Sequence, residues 1–367
     1  MRKTVLALTL WGAAVMADPA FIATQHGNLK IDTVATDLAH PWGISVLPDG
    51  QLLVTERDGR LRYIDKSGKV SAPISGLPEI VVAGQGGLLD VLLDKDFASN
   101  QLIYLSYAEP GADNTNSTAV AKARLDGQSL KDFKVIFSQT PKFDSKYHFG
   151  GRLVQQADGN LFVTTGDRGS QREAVQNLTT LIGKVAHITP DGNAAPGNPF
   201  AQDKTAQPLI WSYGHRNIQG ATLDKTGRLW THEHGPQGGD EINITVAGKN
   251  YGWPIITYGE EYGGGVIGVT KKPGLEQPLH YWVPSIAPSG MLFYQGAMFS
   301  KWQHNLLVGS LKFGQLVRLE IKDDKVVHEE RIRIGARIRD VEVAPDGAIY
   351  LLTDEDKGAV LRLTSAG

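Results

Sequence analysis

Short apolar runs separated by polar turns dominate the chain. Almost no segment has the 3.6-residue apolar period of a helix. Instead, an apolar run, a turn that is usually Asp-Gly and a second alternating run recur at 42–56, 150–167, 220–233 and 341–355, with weaker copies at 88–109 and 290–311. Asp-Gly between alternating runs is a strong hairpin signal. The pattern therefore predicts an all-β protein built from a repeated hairpin.

The number of repeats predicts the architecture. Six copies over about 350 residues give roughly 55 to 60 residues each, which is enough for four short strands with loops. We therefore predict a six-bladed β-propeller with four-stranded antiparallel blades. The first strand of each blade would line a central channel, and ligands would bind at its mouth. We expect Ile31–Thr36 to pair with Ala359–Thr364, which closes the ring and leaves no free edge.

The N-terminal residues and the composition indicate where the protein works and which partners it is expected to lack. Residues 1–17 contain Arg2 and Lys3, a short apolar stretch and Ala17, a pattern typical of a secretory signal peptide rather than a membrane span. A buried first strand is the alternative. We expect 18–367 to form one domain, exported to the periplasm and without an integral membrane segment. The absence of cysteine fits an oxidising compartment, and a net charge of -2 gives no reason to expect a nucleic acid partner.

The segment 231–254 combines carboxylates and glycines in one loop. It contains Glu233, Asp240 and Glu241 beside several glycines. Glycine lets backbone carbonyls turn towards a ligand, and Ca2+ prefers carboxylate and carbonyl oxygens. His232 and His234 suggest zinc instead, but no third nitrogen or sulfur ligand follows at zinc-like spacing. The loop therefore indicates a calcium site.

Polar residues stand directly before or at the start of the innermost strands, at one end of the predicted channel. Four of them lie ten or eleven residues before the turn glycine, and shared phase in a repeat means shared location. Together they would form a positive, donor-rich funnel suited to a ligand with several carboxylates. The set comprises His40, Gln85, His148, Arg216 with Asn217, and Arg337 with Arg339.

Two histidines in this set invite different interpretations. His148 lies between aromatics and glycines, and its ordinary pKa near neutrality suits a general base. Asp167 could orient the imidazole, or could be a simple turn residue. We expect His40, which precedes Pro41, to pack and hydrogen-bond at a blade start rather than react. Arg339 could instead form a blade-to-blade ion pair with the following Asp340.

With these residues in view, the chain resembles the soluble pyrroloquinoline quinone (PQQ) dependent glucose and aldose sugar dehydrogenases, most closely the short periplasmic aldose sugar dehydrogenases. The resemblance covers nearly the whole chain after the signal segment. The motifs that carry it are HPWGISVLPDG, GQGGLLDV, HFGGRL, WSYGHRNIQG, EHGPQGGDEIN with KNYGWP, and RIRDV with the following PDG.

The resemblance implies PQQ and Ca2+ as cofactors at the channel mouth. His148 matches the family's base, which takes the proton of the sugar's anomeric hydroxyl while hydride leaves C1 for the quinone. Arg216 and Ca2+ would stabilise the charge that grows on the quinone oxygen. Backbone carbonyls of Gly235 and Pro236 would hold the cofactor Ca2+, whereas Glu241 and the carbonyl of Tyr251 would hold a structural one. The positions that match quinone contacts are Gln85, Arg216, Asn217, Tyr262, Lys312, Arg337 and Arg339.

The chain also departs from the larger glucose dehydrogenases. Tyr147 stands where they carry an acid, and their long insertions are missing, so we expect a monomer and leave glucose preference open.

The predicted function is oxidation of an aldose to its lactone, with electrons passed to an external acceptor. A calcium-dependent sugar lactonase and a non-catalytic binding propeller are the alternatives; the arginines argue against the first, and the intact His148, Gln85 and Arg216 argue against the second.

Overall fold

The computed structural model describes residues 20–366, and the predicted signal peptide lies outside them. Short strands with buried apolar residues account for most of this part of the chain. The first half contains β1 (Ala20–Thr24), β2 (Gly27–Leu38), β3 (Pro41–Val46), β4 (Leu52–Glu56), β5 (Arg60–Ile64), β6 (Leu88–Leu93), β7 (Leu102–Pro110), β8 (Asn116–Asp126), β9 (Ser129–Ser138), β10 (Leu153–Gln155), β11 (Leu161–Thr164) and β12 (Lys184–Ile188).

The second half continues the pattern. It contains β13 (Ile210–Tyr213), β14 (Ile218–Leu223), β15 (Leu229–Glu233), β16 (Asp240–Ile244), β17 (His280–Trp282), β18 (Pro288–Phe293), β19 (Leu306–Ser310), β20 (Gln315–Lys322), β21 (Lys325–Arg333), β22 (Ile338–Val343), β23 (Ile349–Thr353) and β24 (Gly358–Ser365). Helical structure in the described chain is limited to α1 (Phe97–Asn100) and the 3-10 turns Ala112–Asn114, Arg172–Gln176 and Ser300–Trp302.

The strands form six antiparallel sheets arranged as a ring, so the predicted six-bladed propeller is confirmed. Four sheets have four consecutive strands, namely β6–β9, β10–β13, β14–β17 and β18–β21. The predicted closure is also confirmed, because β2 pairs with β24 in the order β1-β2-β24-β23-β22, with Ile31 opposite Leu363. This last sheet has a fifth strand, since β1 adds a hairpin at its outer edge.

The first blade departs from the predicted four strands. Its sheet contains only β3, β4 and β5. The fourth position is taken by an irregular segment that forms a single bridge between Val70 and Ile64 and a hydrogen bond from Ile74 N to Leu61 O at 2.8 Å. Pro73 interrupts this segment. Proline has no N–H to donate to a ladder, which explains why the pairing is interrupted at Pro73 and why a regular fourth strand does not form.

Each interface between neighbouring blades contains its own apolar cluster. Leu53 and Leu61 of the first blade, for example, pack with Leu105 of the second, and Leu307 of the fifth blade packs with Leu351 of the sixth. Burial of a leucine side chain contributes about 1.5–3 kcal/mol. The innermost strands β3, β6, β10, β14, β18 and β22 contact one another around the ring. Loops that precede these strands therefore converge at one end of the channel, as predicted.

No helix in the described part of the chain has the length and apolar character that crossing a bilayer requires.

Candidate active site

His148 and Asp167 form a buried hydrogen-bonded pair at the channel mouth. The two residues lie on either side of the hairpin β10–β11, His148 before it and Asp167 after it. Nδ1 of His148 lies 2.5 Å from Oδ1 of Asp167. The imidazole is 13% exposed, whereas Asp167 is 1% exposed. Because a carboxylate only accepts, Nδ1 carries the proton and Nε2 keeps its lone pair. The interpretation of Asp167 as a partner of the imidazole is thus consistent with the geometry.

Burial and neighbouring charges set the protonation of this pair. Burial lowers the pKa of His148 below its ordinary value, and the Arg216 charge acts in the same direction against the hydrogen bond to Asp167. Burial alone would raise the pKa of Asp167, but the hydrogen bond from His148 and the nearby positive charges outweigh it and hold that pKa below its usual range. At neutral pH the imidazole is therefore neutral and the carboxylate ionised.

Two further predicted residues hold the backbone around His148. The side-chain Oε1 of Gln85 accepts from His148 N at 2.8 Å. Oδ1 of Asn217, which is 1% exposed, accepts from Gly150 N at 3.1 Å. His148 itself has a φ of 51°, in the left-handed region, and these contacts maintain this less favourable backbone conformation. Gln85 and Asn217 therefore position the backbone that carries the base.

Arg216 lies between the base and the glycine-rich loop. Its Nη1 donates to the carbonyl of Gly235 at 2.8 Å and to that of His234 at 3.1 Å. Its backbone N–H donates to Oε2 of Glu233 at 2.5 Å. Nη2 lies 3.5 Å from the hydroxyl of Tyr262, whose side chain is exposed. The guanidinium is thus fixed by backbone carbonyls and leaves its second amino group towards the open mouth.

Arg337 and Arg339 form a second positive group. Both contact Asp354: Arg339 Nη2 forms a short ion pair with Oδ2, and Arg337 Nη2 lies 3.6 Å from the same oxygen. The predicted alternative of an Arg339–Asp340 ion pair is wrong. Strand alternation turns Asp340 to the other side of β22, where it pairs with Arg152 at 3.1 Å. Arg339 is buried, and its Nε has no hydrogen-bond partner in the described structure.

Other cations and His40 complete this side of the mouth. The two ring nitrogens of His40 hydrogen-bond to Asp354 and Asp356 at 2.8 Å each, so the prediction that it hydrogen-bonds at a blade start is confirmed. Arg57, which sequence reasoning missed, is close enough to lower the pKa of Arg339. The sequence signal for Arg57 is its place directly after a hairpin strand. Lys312 is exposed, with Nζ 5.3 Å from the centroid of the Phe313 ring.

Three of the four residues predicted to bind metal line a separate small cavity. It has a volume of about 10 Å³, enough for one water-sized sphere, and its lining includes Gly235, Glu241, Tyr251 and Arg216. Glu241 is buried, and the desolvation together with the charge of Glu233 raises its pKa well above the usual range. Its carboxylate accepts a long hydrogen bond from the amide of Asn243, at 3.4 Å. Pro236 does not line this cavity.

The zinc alternative finds no support in the arrangement of His232 and His234. Their Nε2 atoms contact the backbone carbonyls of Ser289 and Pro288 respectively. In the described residues, no group of three or more histidine, cysteine, aspartate or glutamate side chains is arranged to hold a metal ion. Asp240 is also occupied, since its carboxylate accepts from Gly235 N at 2.9 Å and from Ser285 and the backbone that follows it.

A cavity of about 690 Å³ opens in front of the imidazole. Its lining joins Gln85, His148, Arg216 and Tyr262 with Tyr147 and the 168–172 segment. Lys312, Arg337 and Arg339 do not line this cavity. Arg339 and Arg216 both act on the imidazole of His234 and lower its pKa. The pocket therefore has a neutral imidazole and a fixed guanidinium on its wall, with further cations beside it. This arrangement suits removal of a proton from a substrate whose complex is anionic or contains a cofactor.

Comparison with known proteins gives the class of this propeller. The family model described as glucose/sorbosone dehydrogenase matches residues 38–362. The chain therefore belongs to the glucose/sorbosone dehydrogenase family and is an oxidoreductase.

Particular relatives support this assignment along the whole propeller. The chain is 43% identical over 346 residues to the aldose sugar dehydrogenase YliI of Escherichia coli K12, covering 92% of this chain and 93% of the relative. It is 27% identical to quinoprotein glucose dehydrogenase B of Acinetobacter calcoaceticus, over 95% and 90% of the two chains. The PQQ-bound aldose sugar dehydrogenase of Streptomyces coelicolor has a TM-score of 0.75 and 29% identity, over 92% of this chain and 98% of that one.

Proposed function

We propose that this protein oxidises aldose sugars at C1 to lactones, using PQQ and Ca2+, and passes the electrons to an external acceptor. The observation that carries the proposal is the His148–Asp167 pair, joined at 2.5 Å, in which His148 lies with Arg216 on the wall of a cavity of about 690 Å³. Relatives whose names include aldose sugar dehydrogenase and quinoprotein glucose dehydrogenase support the substrate class and the cofactor.

The charges at the mouth fit a cofactor with several carboxylates. Arg57, Arg337 and Arg339 act on a single carboxylate, Asp354, so positive charge is in excess there. The buried Nε of Arg339 has no partner in the described structure. An unsatisfied buried donor costs about 1–3 kcal/mol, which a ligand oxygen could recover. We propose that the residues that would hold PQQ and its carboxylates are Gln85, Arg216, Asn217, Lys312, Arg337 and Arg339, with Tyr262 in contact with it as well.

His148 is the proposed base. Asp167 occupies Nδ1, so Nε2 is the atom that takes the proton of the anomeric hydroxyl. The neutral form that burial favours is the form a base needs. Arg216 adds a fixed positive charge beside the reacting atoms, which stabilises negative charge without reorganisation. PQQ, when bound, supplies the two-electron acceptor that the protein side chains lack.

Calcium is proposed at the glycine-rich loop on chemical grounds. Glu241 is a buried carboxylate next to a second carboxylate, Glu233, and none of the described cationic side chains forms an ion pair with it. A cation beside Glu241 and the Tyr251 carbonyl would remove that repulsion. The second proposed calcium site, next to the cofactor, uses the carbonyl of Gly235. This carbonyl already accepts a hydrogen bond from Arg216. A cation held there with Pro236 would share this oxygen with the guanidinium.

The location and assembly are also proposals. The basic and apolar start of residues 1–17 supports export to the periplasm, with 18–367 acting as one catalytic domain. We propose that the protein is a monomer, that it does not bind nucleic acid and that it has no integral membrane segment.

Reconstitution tests the proposed function. Purified apo-protein receives PQQ and CaCl2, then glucose or another aldose, and reduction of an artificial dye is followed. Dye reduction that requires both additions is the expected result. The control is His148→Ala, in which we expect PQQ to bind while turnover falls by at least about 100-fold. Failure of the wild-type chain to take up PQQ would refute the proposal, and hydrolysis of a sugar lactone in its place would establish the lactonase alternative.

A further inference from the structure

Trp253 lies behind the pair His148–Asp167 and does not line the cavity in front of the imidazole. Its side chain is 4% exposed. The indole Nε1 donates to Oδ2 of Asp167 at 2.8 Å, which is the carboxylate oxygen that His148 does not use. The hydrogen bond joins two loops 86 residues apart in sequence, one from the third blade and one from the fourth.

The indole also supports two arginines through its ring. The guanidinium carbon of Arg216 lies 5.4 Å from the ring centroid and that of Arg172 lies 5.5 Å away. Such contacts contribute about 0.5–2 kcal/mol each. The backbone of Trp253 is fixed as well, since its N–H donates to Gly214 O at 2.9 Å and its carbonyl accepts from Gln176 Nε2 at 2.7 Å. The ring therefore has little freedom to move away from Asp167.

Asp167 depends on this contact because its other partners do not fix Oδ2. Oδ1 accepts from His148 Nδ1 at 2.5 Å and from Gly169 N at 2.7 Å. The only hydrogen bond to Oδ2 from the described residues is that of Trp253. A carboxylate held at one oxygen can rotate about its χ2 bond, whereas one held at both keeps its plane. We infer that Trp253 is a positioning residue, which holds Asp167 and through it orients the His148 imidazole for proton abstraction.

This inference rests on the proposed function for its kinetic consequences, but its geometric core can be tested without the cofactor. The variant is Trp253→Phe, which keeps an aromatic ring near Arg216 and loses the N–H. Trp230→Phe is the matched control: Trp230 is 1% exposed and its Nε1 donates to the carboxylate of Asp224 at 3.0 Å, away from the channel mouth. Both variants lose an indole donor to an aspartate, and only one loses it at the active site.

The first readout is the titration of His148 in apo-protein, followed by NMR of labelled histidine. The indole N–H of Trp253 stabilises the negative charge on Asp167, which weakens the attraction of this carboxylate for a protonated His148 imidazole. Without that donor the carboxylate attracts a protonated imidazole more strongly, so the pKa of His148 should rise towards its ordinary value in Trp253→Phe and stay unchanged in Trp230→Phe. The charged groups that face His148 are Asp167, Arg216 and Arg168, with Asp144, Lys146 and Arg172 on the cavity wall.

The second readout is kinetic. In reconstituted enzyme, Trp253→Phe should lower kcat by about 5- to 20-fold with KM within about twofold, because one hydrogen bond to a charged group is lost in orienting the base. In an Asp167→Ala background the same substitution should have no further effect on kcat, since its target is gone. Additive effects in that background would show that Trp253 acts only through general stability.

A third readout requires no variant. In the wild-type apo-protein, the Nε1–H resonance of Trp253 should shift with the titration of His148, because Asp167 transmits the change. An indole resonance that ignores this titration would overturn the inference, as would an unchanged pKa of His148 in Trp253→Phe. These NMR outcomes hold even if the wild-type chain fails to reduce dye with PQQ, which would refute the proposed function alone.

Discussion

Replacement of Asp167 by asparagine should impair catalysis far more than it impairs folding. The carboxylate receives three donors: His148 Nδ1 and Gly169 N on Oδ1, and Trp253 Nε1 on Oδ2. The backbone amide and the indole can only donate, and they lie on opposite oxygens. Whichever oxygen becomes NH2 in the asparagine therefore faces a donor. The substituted side chain can satisfy one side of the site and not both.

The magnitude follows from these contacts. Each hydrogen bond to a charged group contributes about 1.5–3 kcal/mol, and the variant loses the charge-assisted bond to the imidazole together with its tautomer control. A loss of about 2.7 kcal/mol at the transition state corresponds to about 100-fold in kcat. We expect that decrease in the PQQ-reconstituted dye assay, with PQQ affinity within about threefold of the wild type because Asp167 forms no ion pair with the arginines proposed to hold PQQ.

A matched substitution separates charge from position. Asp132→Asn removes one carboxylate from an exposed ion pair with Arg124, at 3.3 Å, and an exposed pair contributes about 0–1 kcal/mol. This control should keep wild-type kcat. If Asp167→Asn keeps kcat within about threefold of the wild type while its thermal unfolding is also unchanged, the assignment of Asp167 as the orienting partner of the base is wrong.

The remaining predictions concern the cofactor, the metal and the pH dependence. Arg337→Ala should raise the Kd of PQQ by about five- to tenfold and leave the stability unchanged, because Arg337 is half exposed. Arg339→Ala should also lower the melting temperature, because Asp354 loses the buried arginine that compensates its charge. Fluorescence titration measures the Kd and thermal scans measure the melting temperature; equal melting temperatures of the two variants would contradict this. Ca2+ at about 100 times its Kd for the Glu241 site should stabilise the apo-protein by about 2.7 kcal/mol through that site, and Glu241→Gln should lose most of this gain in a thermal-shift assay. An undiminished gain would remove Glu241 from the site. In the pH profile of kcat/KM, the loss of activity on the acid side should occur below pH 6.5, because the lowered pKa of His148 keeps the imidazole neutral until the pH falls below that pKa. Loss of activity above pH 6.5 would contradict the conclusion that burial lowers the pKa of His148.

The architecture is readable from the sequence because the strand pattern of a propeller is periodic. Alternating apolar runs at a regular spacing define the blades, and shared phase places His148 and Arg216 at one end of the channel. The predicted ring closure holds for the same reason: β2 and β24 both have the alternation of paired strands. The missing fourth strand of the first blade was not predicted, although Pro73 in the segment carried the signal.

Side-chain partners are harder to predict because they depend on the angle between blades and on rotamers. Arg339 pairs with Asp354 rather than with its neighbour Asp340, since adjacent residues of a strand point to opposite faces. Trp253 reaches Asp167 across two blades, and no local pattern encodes that contact. Sequence reasoning placed His148 and Arg216 together at the mouth, but it could not say which of the mouth residues hold one another.

The most direct test of the central claim is to follow the carbon that is oxidised. Apo-protein with PQQ, CaCl2, an excess of dye and an aldose labelled with 13C at C1 is observed by NMR. The account predicts that the anomeric signal converts to a carbonyl signal only when PQQ is present, and that His148→Ala converts it at least about 100-fold more slowly. A carbonyl signal that forms equally fast without PQQ, or no conversion of any aldose by protein that has bound PQQ, would contradict it.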